Sequence, residues 1–339
     1  MMVLVLLAKF LGGLALITTS SWVLVTLIGR VGARFHFTAG LLGIAVALGA
    51  DSPEIASAIT ALLAGNAELG VGVVLGSNLF NIAALLGVSA MVAGKGLRIR
   101  RGGLMLTGGA ALTVTLLGSL LVLRWISGWV ALALLGVVFV PYVVLSSFGE
   151  SRLRRCPLPG SLREHLCRAV ADVERDERPA EEPKRATTVD VIGIVPALAA
   201  VVIGSIVVVS SATALGMRWH VPHTILGMLV LAALTGIPNL VGAMQLARRG
   251  RGTAVVSETL NSNSLNVIFG LCLPAALLGA SRMKTIPVSI CRATRLPRSM
   301  FEVMTDPPRP YRESFASRIA SSSSFTRIIR ATGAKSSWE

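Results

Sequence analysis

Eight stretches of this chain are almost uninterrupted in their apolarity: roughly 3–28, 38–64, 69–94, 103–123, 127–147, 189–216, 222–247 and 253–280. A helix rising 1.5 Å per residue needs about 20 apolar residues to cross the hydrocarbon of a bilayer. Each of the eight is long enough. The first has no basic leader, its early charge is Lys9 alone, and it is too long for a signal-peptide core. It is read as a spanning helix. The fold expected is all-α, a polytopic transmembrane helix bundle of about eight spans. Charged residues make up only 14% of the chain and mean hydropathy is +0.72, whereas a soluble domain carries roughly a quarter charged residues.

The net charge of +15 does not point to nucleic acid. In a polytopic protein, arginine and lysine mark the cytoplasmic loops. Here Arg30 and Arg34 follow span 1, Lys95, Arg98, Arg100 and Arg101 follow span 3, and Arg248, Arg249 and Arg251 follow span 7. The opposite side carries only Arg124 and Arg218 between spans. The basic set is therefore assigned to the cytoplasm of a cell membrane, with the N-terminus outside. Cys156, Cys167, Cys272 and Cys291 show neither disulfide-framework nor zinc spacing.

Two polar segments interrupt the apolar background and match at a constant offset of 185 positions. Ala47 falls on Ala232, Pro53 on Pro238, Ala58 on Ala243 and Gly65 on Gly250, and Ser77, Asn78 and Asn81 fall on Ser262, Asn263 and Asn266. Five spans separate the copies, so the second enters the membrane from the opposite side. Such an inverted-topology repeat places a binding site near the midplane, between the halves. Residues 1–148 form the first half and 189–284 the second. Between them lies a charged loop, 149–188, read as a cytoplasmic tether with a short helix near 161–175.

The residues inside the repeats suit a hard cation. Pro53 and Pro238 fall in mid-span, where proline removes a donor and displaces the carbonyl four residues earlier, here Gly49 and Leu234. Those oxygens are expected to face a cation. Asp51 and Glu54 lie three apart on one face, and carboxylates at bilayer depth are costly and usually functional. Ser77 and Asn81 share a face of span 3, and Glu258, Ser262 and Asn266 form a stripe along span 8. Carboxylate, amide, hydroxyl and carbonyl oxygens suit Ca²⁺ or Na⁺, and no His/Cys cluster argues for a softer metal. Hydroxyls and amides in such spans also pack helices together.

These motifs resemble those of the cation/Ca²⁺ exchanger superfamily, the sodium/calcium exchanger type. Its two inverted repeats carry G-T-S-x-P-E and then G-N-x-x-G-S-N-x-F-N. The first copy here reads Gly49-Ala50-Asp51-Ser52-Pro53-Glu54, then Gly76-Ser77-Asn78-Leu79-Phe80-Asn81. The second reads Leu234-Thr235-Gly236-Ile237-Pro238-Asn239, then Asn261-Ser262-Asn263-Ser264-Leu265-Asn266. The resemblance covers residues 1–280 and implies an antiporter of family pattern ten helices, exchanging Ca²⁺ for Na⁺ or H⁺. By that resemblance Glu54 and Asn239 face the ion, with Thr235 matching the family threonine and Ser77, Asn81, Ser262 and Asn266 around it. Asn239 stands where the family has its second glutamate, Asp51 where it has a serine, and Glu258 where it has the asparagine of G-N. Charge has thus moved from a Glu/Glu pair to an Asp/Glu pair on span 2, an arrangement open to proton coupling.

The expected function is secondary cation antiport by alternating access, moving Ca²⁺ or another cation against Na⁺ or H⁺. It needs no organic cofactor, only membrane lipid and the transported inorganic cations. Two other readings stand beside it: a monovalent cation/proton antiporter, and a degenerate scaffold that no longer transports. Enzymatic chemistry is disfavoured by the lack of a nucleophile–base pair or a phosphate-binding glycine loop. The segment 285–339 has no spanning run, and eleven Lys and Arg lie from Arg282 onward. It is expected to be a disordered basic tail, either genuine or, as the favoured reading, arising from an altered reading frame or gene end, because the second half stops two helices short of the first.

Overall fold

A computed structural model describes residues 2–94, 99–155, 159–177 and 186–278. Expectations for the tail, and for Lys95 and Arg98, lie outside these residues. Among the described residues α1 spans Met2–Arg34, followed by α2, Ala39–Ala50, and α3, Ser52–Leu63. Then come α4, Ala67–Ala93, α5, Arg101–Val122, and α6, Gly128–Leu153. The linker holds α7, Gly160–Glu177. The second half contains α8, Thr188–Arg218, α9, His223–Thr235, α10, Ile237–Arg248, and α11, Gly252–Leu278. Six of these helices are long and apolar enough to cross a membrane, and the bent pairs α2–α3 and α9–α10 raise the number to eight. The expected spans coincide with them. Trp22, Leu112 and Val137, exposed by 71%, 74% and 72%, form the outward apolar surface that lipid would cover.

The two prolines act differently from the sequence expectation. Neither lies inside a continuous helix. Pro53 and Pro238 each occupy the first turn of a new segment, where a missing N–H is harmless. The axes bend by 50° at the first break and 47° at the second. The linking residues, Asp51 and Gly236, have nearly the same backbone, φ −80°, ψ −6° and φ −80°, ψ −7°. The offset of 185 pairs these two positions.

The turns after the bent pairs repeat as well. Gly65 and Gly250 have φ of 79° and 71°, a region open to glycine at little cost. Asn66 N–H donates to the Ala61 carbonyl at 2.9 Å and Arg251 N–H to that of Leu246 at 3.1 Å, the same helix-ending motif in each repeat. Beside the repeats, α1 and α8 pack closely through small residues. A Cβ at Gly13 would lie 2.9 Å from Val208, and one at Gly204 3.2 Å from the Gly13 carbonyl. Close packing of small residues substitutes for hydrophobic driving force within lipid.

The basic loops gather at one end of the bundle. Arg30 pairs with Asp190 at 2.7 Å, and the Arg100 N–H donates to Thr253 Oγ1 at 3.0 Å. The linker is not a free tether. Its helix α7 buries Cys167, Val170 and Val173 against the bundle and brings Asp172 to 3.9 Å from Arg100. Its amphipathic pattern gives the reason, because an apolar stripe on a helix needs a partner.

Candidate cation site

The two half-helix breaks meet α4 and α11 at about half the membrane depth. Asp51 follows the twelve residues of α2 and Ser262 is the eleventh residue of α11, which places both about 15–18 Å from the basic end. The hydrocarbon core is about 30 Å thick. Asp51 is fully buried and Glu54 is 1% exposed. Asp51 Oδ1 accepts hydrogen bonds from Asn239 Nδ2 at 2.7 Å and Ser262 Oγ at 2.5 Å. Ser262 Oγ in turn accepts from Asn81 Nδ2 at 2.8 Å, and Asn81 Nδ2 also donates to Asn263 Oδ1 at 3.0 Å. Four elements, α3's cap, α4, α10 and α11, are thereby tied into one polar network that crosses between the repeats.

This network sets what remains for an ion. The amide nitrogens of Asn81 and Asn239 are engaged as donors, so their oxygens are the ends left without a partner. Among the buried oxygens of the described residues that have no hydrogen-bond partner are Asp51 Oδ2, both carboxylate oxygens of Glu54, Ser77 Oγ, and the amide oxygens of Asn81, Asn239 and Asn266, whose own amide nitrogen is also unpartnered. A buried polar atom without a partner costs on the order of 1–3 kcal/mol, more when charged. A set of this kind fits a cation with six to eight oxygen ligands. Among the described residues no three His, Cys, Asp or Glu side chains converge, so the donor set is built on amides and hydroxyls around the carboxylates.

Hydrogen bonds join Asp51, Asn81, Asn239 and Ser262, and Glu54, Ser77 and Asn266 are buried about one helical turn along from Asp51, Asn81 and Ser262. Asn239 does more than stand in for a ligand, since its amide fastens Asp51. Thr235 is buried and donates its hydroxyl to the Leu231 carbonyl at 2.8 Å, which leaves its oxygen lone pairs as acceptors. The Gly49 carbonyl is a correction to the sequence expectation. It is taken by two hydroxyls, Ser52 Oγ at 2.7 Å and Ser21 Oγ at 3.0 Å. Glu258 lies one helical turn before Ser262 and lines a separate cavity of about 280 Å³ with Leu42, Val46, Gln245, Arg249 and Asn261.

That cavity exposes an asymmetry between the repeats. On one side, α4 and α9 touch backbone to backbone: a Cβ at Gly76 would lie 2.3 Å from the Met228 carbonyl, and one at Gly227 2.5 Å from that of Leu69. The offset of 185 maps Gly76 onto Asn261 and Gly227 onto Leu42. Both of these line the cavity instead. One seam is closed, and its repeat-related counterpart stands open at the end where the basic loops gather.

Several polar partners escape sequence reasoning. Ser21, on α1, has no motif around it, yet it caps Gly49. Tyr142 Oη donates to Asn261 Oδ1 at 2.7 Å; its signal was a phenol within an apolar span, in a chain with two tyrosines. Ser57 is fully buried with an unpartnered hydroxyl. Asn263, matched by the repeat but readable as a packing residue, holds Asn81.

Comparison with known proteins agrees with this architecture. A family model described as "Sodium/calcium exchanger protein" matches residues 5–148 and 189–303. The inner membrane protein YrbG of Escherichia coli is 26% identical over 239 residues, covering 68% of this chain and 67% of its own. The human sodium/potassium/calcium exchanger 3 is 37% identical over 65 residues, 19% of this chain and 10% of its own. Relatives at 34% identity or more are matched over only 10–26% of their length. The crystal structure of the H⁺/Ca²⁺ exchanger CAX superposes with a TM-score of 0.58 at 14% identity, over 85% of this chain and 74% of that one, a likeness of fold. With its all-helical fold and a family match over most of its length, the chain belongs to the sodium/calcium exchanger protein family.

Proposed function

We propose that this protein is a secondary cation antiporter that moves Ca²⁺ against Na⁺ or H⁺, binding the ion between the two repeats. The observation that carries this reading is the set of buried oxygens around Asp51 and Glu54 left without donors, while the amide nitrogens of Asn81 and Asn239 are hydrogen-bonded. Two carboxylates give the site the formal charge of the family's Glu/Glu pair, and Asn239 holds the relocated carboxylate in place. Glu54, Ser77, Asn81, Thr235, Asn239 and Asn266 surround the ion in this reading, with Ser262 orienting Asp51. The open seam then leads to the cytoplasm of a cell membrane and the N-terminus lies outside. Transport alternates between this arrangement and one in which the α4–α9 seam opens.

The test is radiolabelled Ca²⁺ uptake into vesicles containing the purified protein, under an imposed Na⁺ gradient and, separately, a pH gradient. Gradient-driven uptake that disappears in Glu54→Gln is the expected result. Absence of flux for Ca²⁺ under both gradients would contradict the reading, and Na⁺ or K⁺ flux under the pH gradient would favour monovalent exchange instead.

A further inference from the structure

Among the described residues, Glu258 is the one carboxylate at membrane depth that the central network does not use. Its carboxylate reaches over Gly242: a Cβ at that glycine would lie 3.3 Å from Glu258 Oε1. The other oxygen, Oε2, is buried without a partner among the described residues. In the first repeat the offset of 185 places Ser57 at the Gly242 position and Val73 at the Glu258 position. Both are fully buried there. The second repeat has therefore exchanged a hydroxyl–valine pair for a glycine–carboxylate pair, and the missing side chain at Gly242 makes room for the carboxylate. The pair sits in the open cavity of about 280 Å³, large enough for several waters.

We infer that Glu258 forms a second, staging site for a hydrated cation in the open vestibule, one helical turn from the central site. Four residues separate Glu258 from Ser262, a rise of about 6 Å, so an ion at Glu258 is one step short of Asp51. Gln245 lines the same cavity and offers an amide oxygen. A weakly held, partly hydrated ion is what this lining suits, because one carboxylate and neutral oxygens replace only part of a hydration shell. Arg249, exposed just past the end of α10 and lining the same cavity, opposes occupancy through its charge. The closed seam has no equivalent, since Val73 offers no ligand. Ion loading is thus built differently on the two sides of the cycle.

This inference rests on the cation-antiporter reading, and Ca²⁺ titration of the purified full chain by calorimetry separates the two. The wild type is expected to bind Ca²⁺ in two classes, one tight and one weak. Glu258→Gln removes the weak class, lowering its affinity at least tenfold, and leaves the tight one. Glu54→Gln does the reverse. Arg249→Gln strengthens the weak class alone. Glu258→Asp, which keeps the charge, retains weak binding and shows that loss in Glu258→Gln is not misfolding. An isotherm unchanged by Glu258→Gln overturns the staging site. Binding that Glu258→Gln abolishes and Glu54→Gln spares overturns the central-site reading and leaves this one standing.

Discussion

Asp51 is the residue on which the site turns. Its backbone at the α2–α3 break is matched by Gly236 at the other break, yet only one of the two carries a carboxylate. The reason is steric: a Cβ at Gly236 would lie 2.7 Å from the Phe80 ring, so the second repeat has no room for a counterpart. Asn239 instead donates to Asp51 at 2.7 Å, so the repeat that lacks the charge still positions it. At about 4 Å and an effective dielectric near 20, one unit charge attracts a divalent ion by roughly 8 kcal/mol before desolvation. Asp51→Asn is therefore expected to lower Ca²⁺ uptake at sub-saturating concentration by about a hundredfold or more, as measured by initial rates in vesicles. Sequence spacing was enough to nominate Asp51, Glu54, Asn81 and Ser262. It held no information on which oxygen bonds which amide, because Asp51 and Asn239 lie 188 positions apart and only the folded chain brings them together.

At the scale of the helices, small residues decide which seam closes. Gly76→Ala places a methyl group against the Met228 carbonyl, where overpacking costs about 1–3 kcal/mol. Gly109→Ala meets nothing within 4 Å and gains about 0.5–1 kcal/mol of helix propensity. Thermal unfolding in detergent should show the first substitution lowering the midpoint and the second leaving it unchanged or raised. Gly65→Ala and Gly250→Ala should each destabilise, since both positions need positive φ. The spans were legible from apolar length and the pairing of Gly65 with Gly250 from the offset of 185, whereas the prolines marked the interrupted spans without showing that a new helical segment starts at each. The fate of the Gly49 carbonyl was not legible, because its second donor, Ser21, comes from a helix outside the repeats.

For the whole molecule, the arrangement is one closed seam and one open vestibule on either side of a central network. Gln245→Cys, with other reactive thiols removed, should react with a membrane-impermeant thiol reagent added from the basic-loop side and resist it from the other side. Cys167 and Cys272 are buried and contribute little background. The inverted repeat could be read from sequence, whereas the open and closed seams could not, since they differ in packing between segments with the same apolar pattern. In the proposed function, this chain keeps the pair of charges by carrying one of them at Asp51. The most direct measurement compares gradient-driven Ca²⁺ uptake in vesicles carrying Asp51→Ser, Asn239→Glu, or both. Asp51→Ser is expected to lose uptake, Asn239→Glu to be impaired by a third carboxylate against Asp51, and the double substitution, which restores a symmetric pair of glutamates across the two repeats, to recover it. Full uptake in Asp51→Ser, or a double variant no better than the two single ones, would contradict this reading.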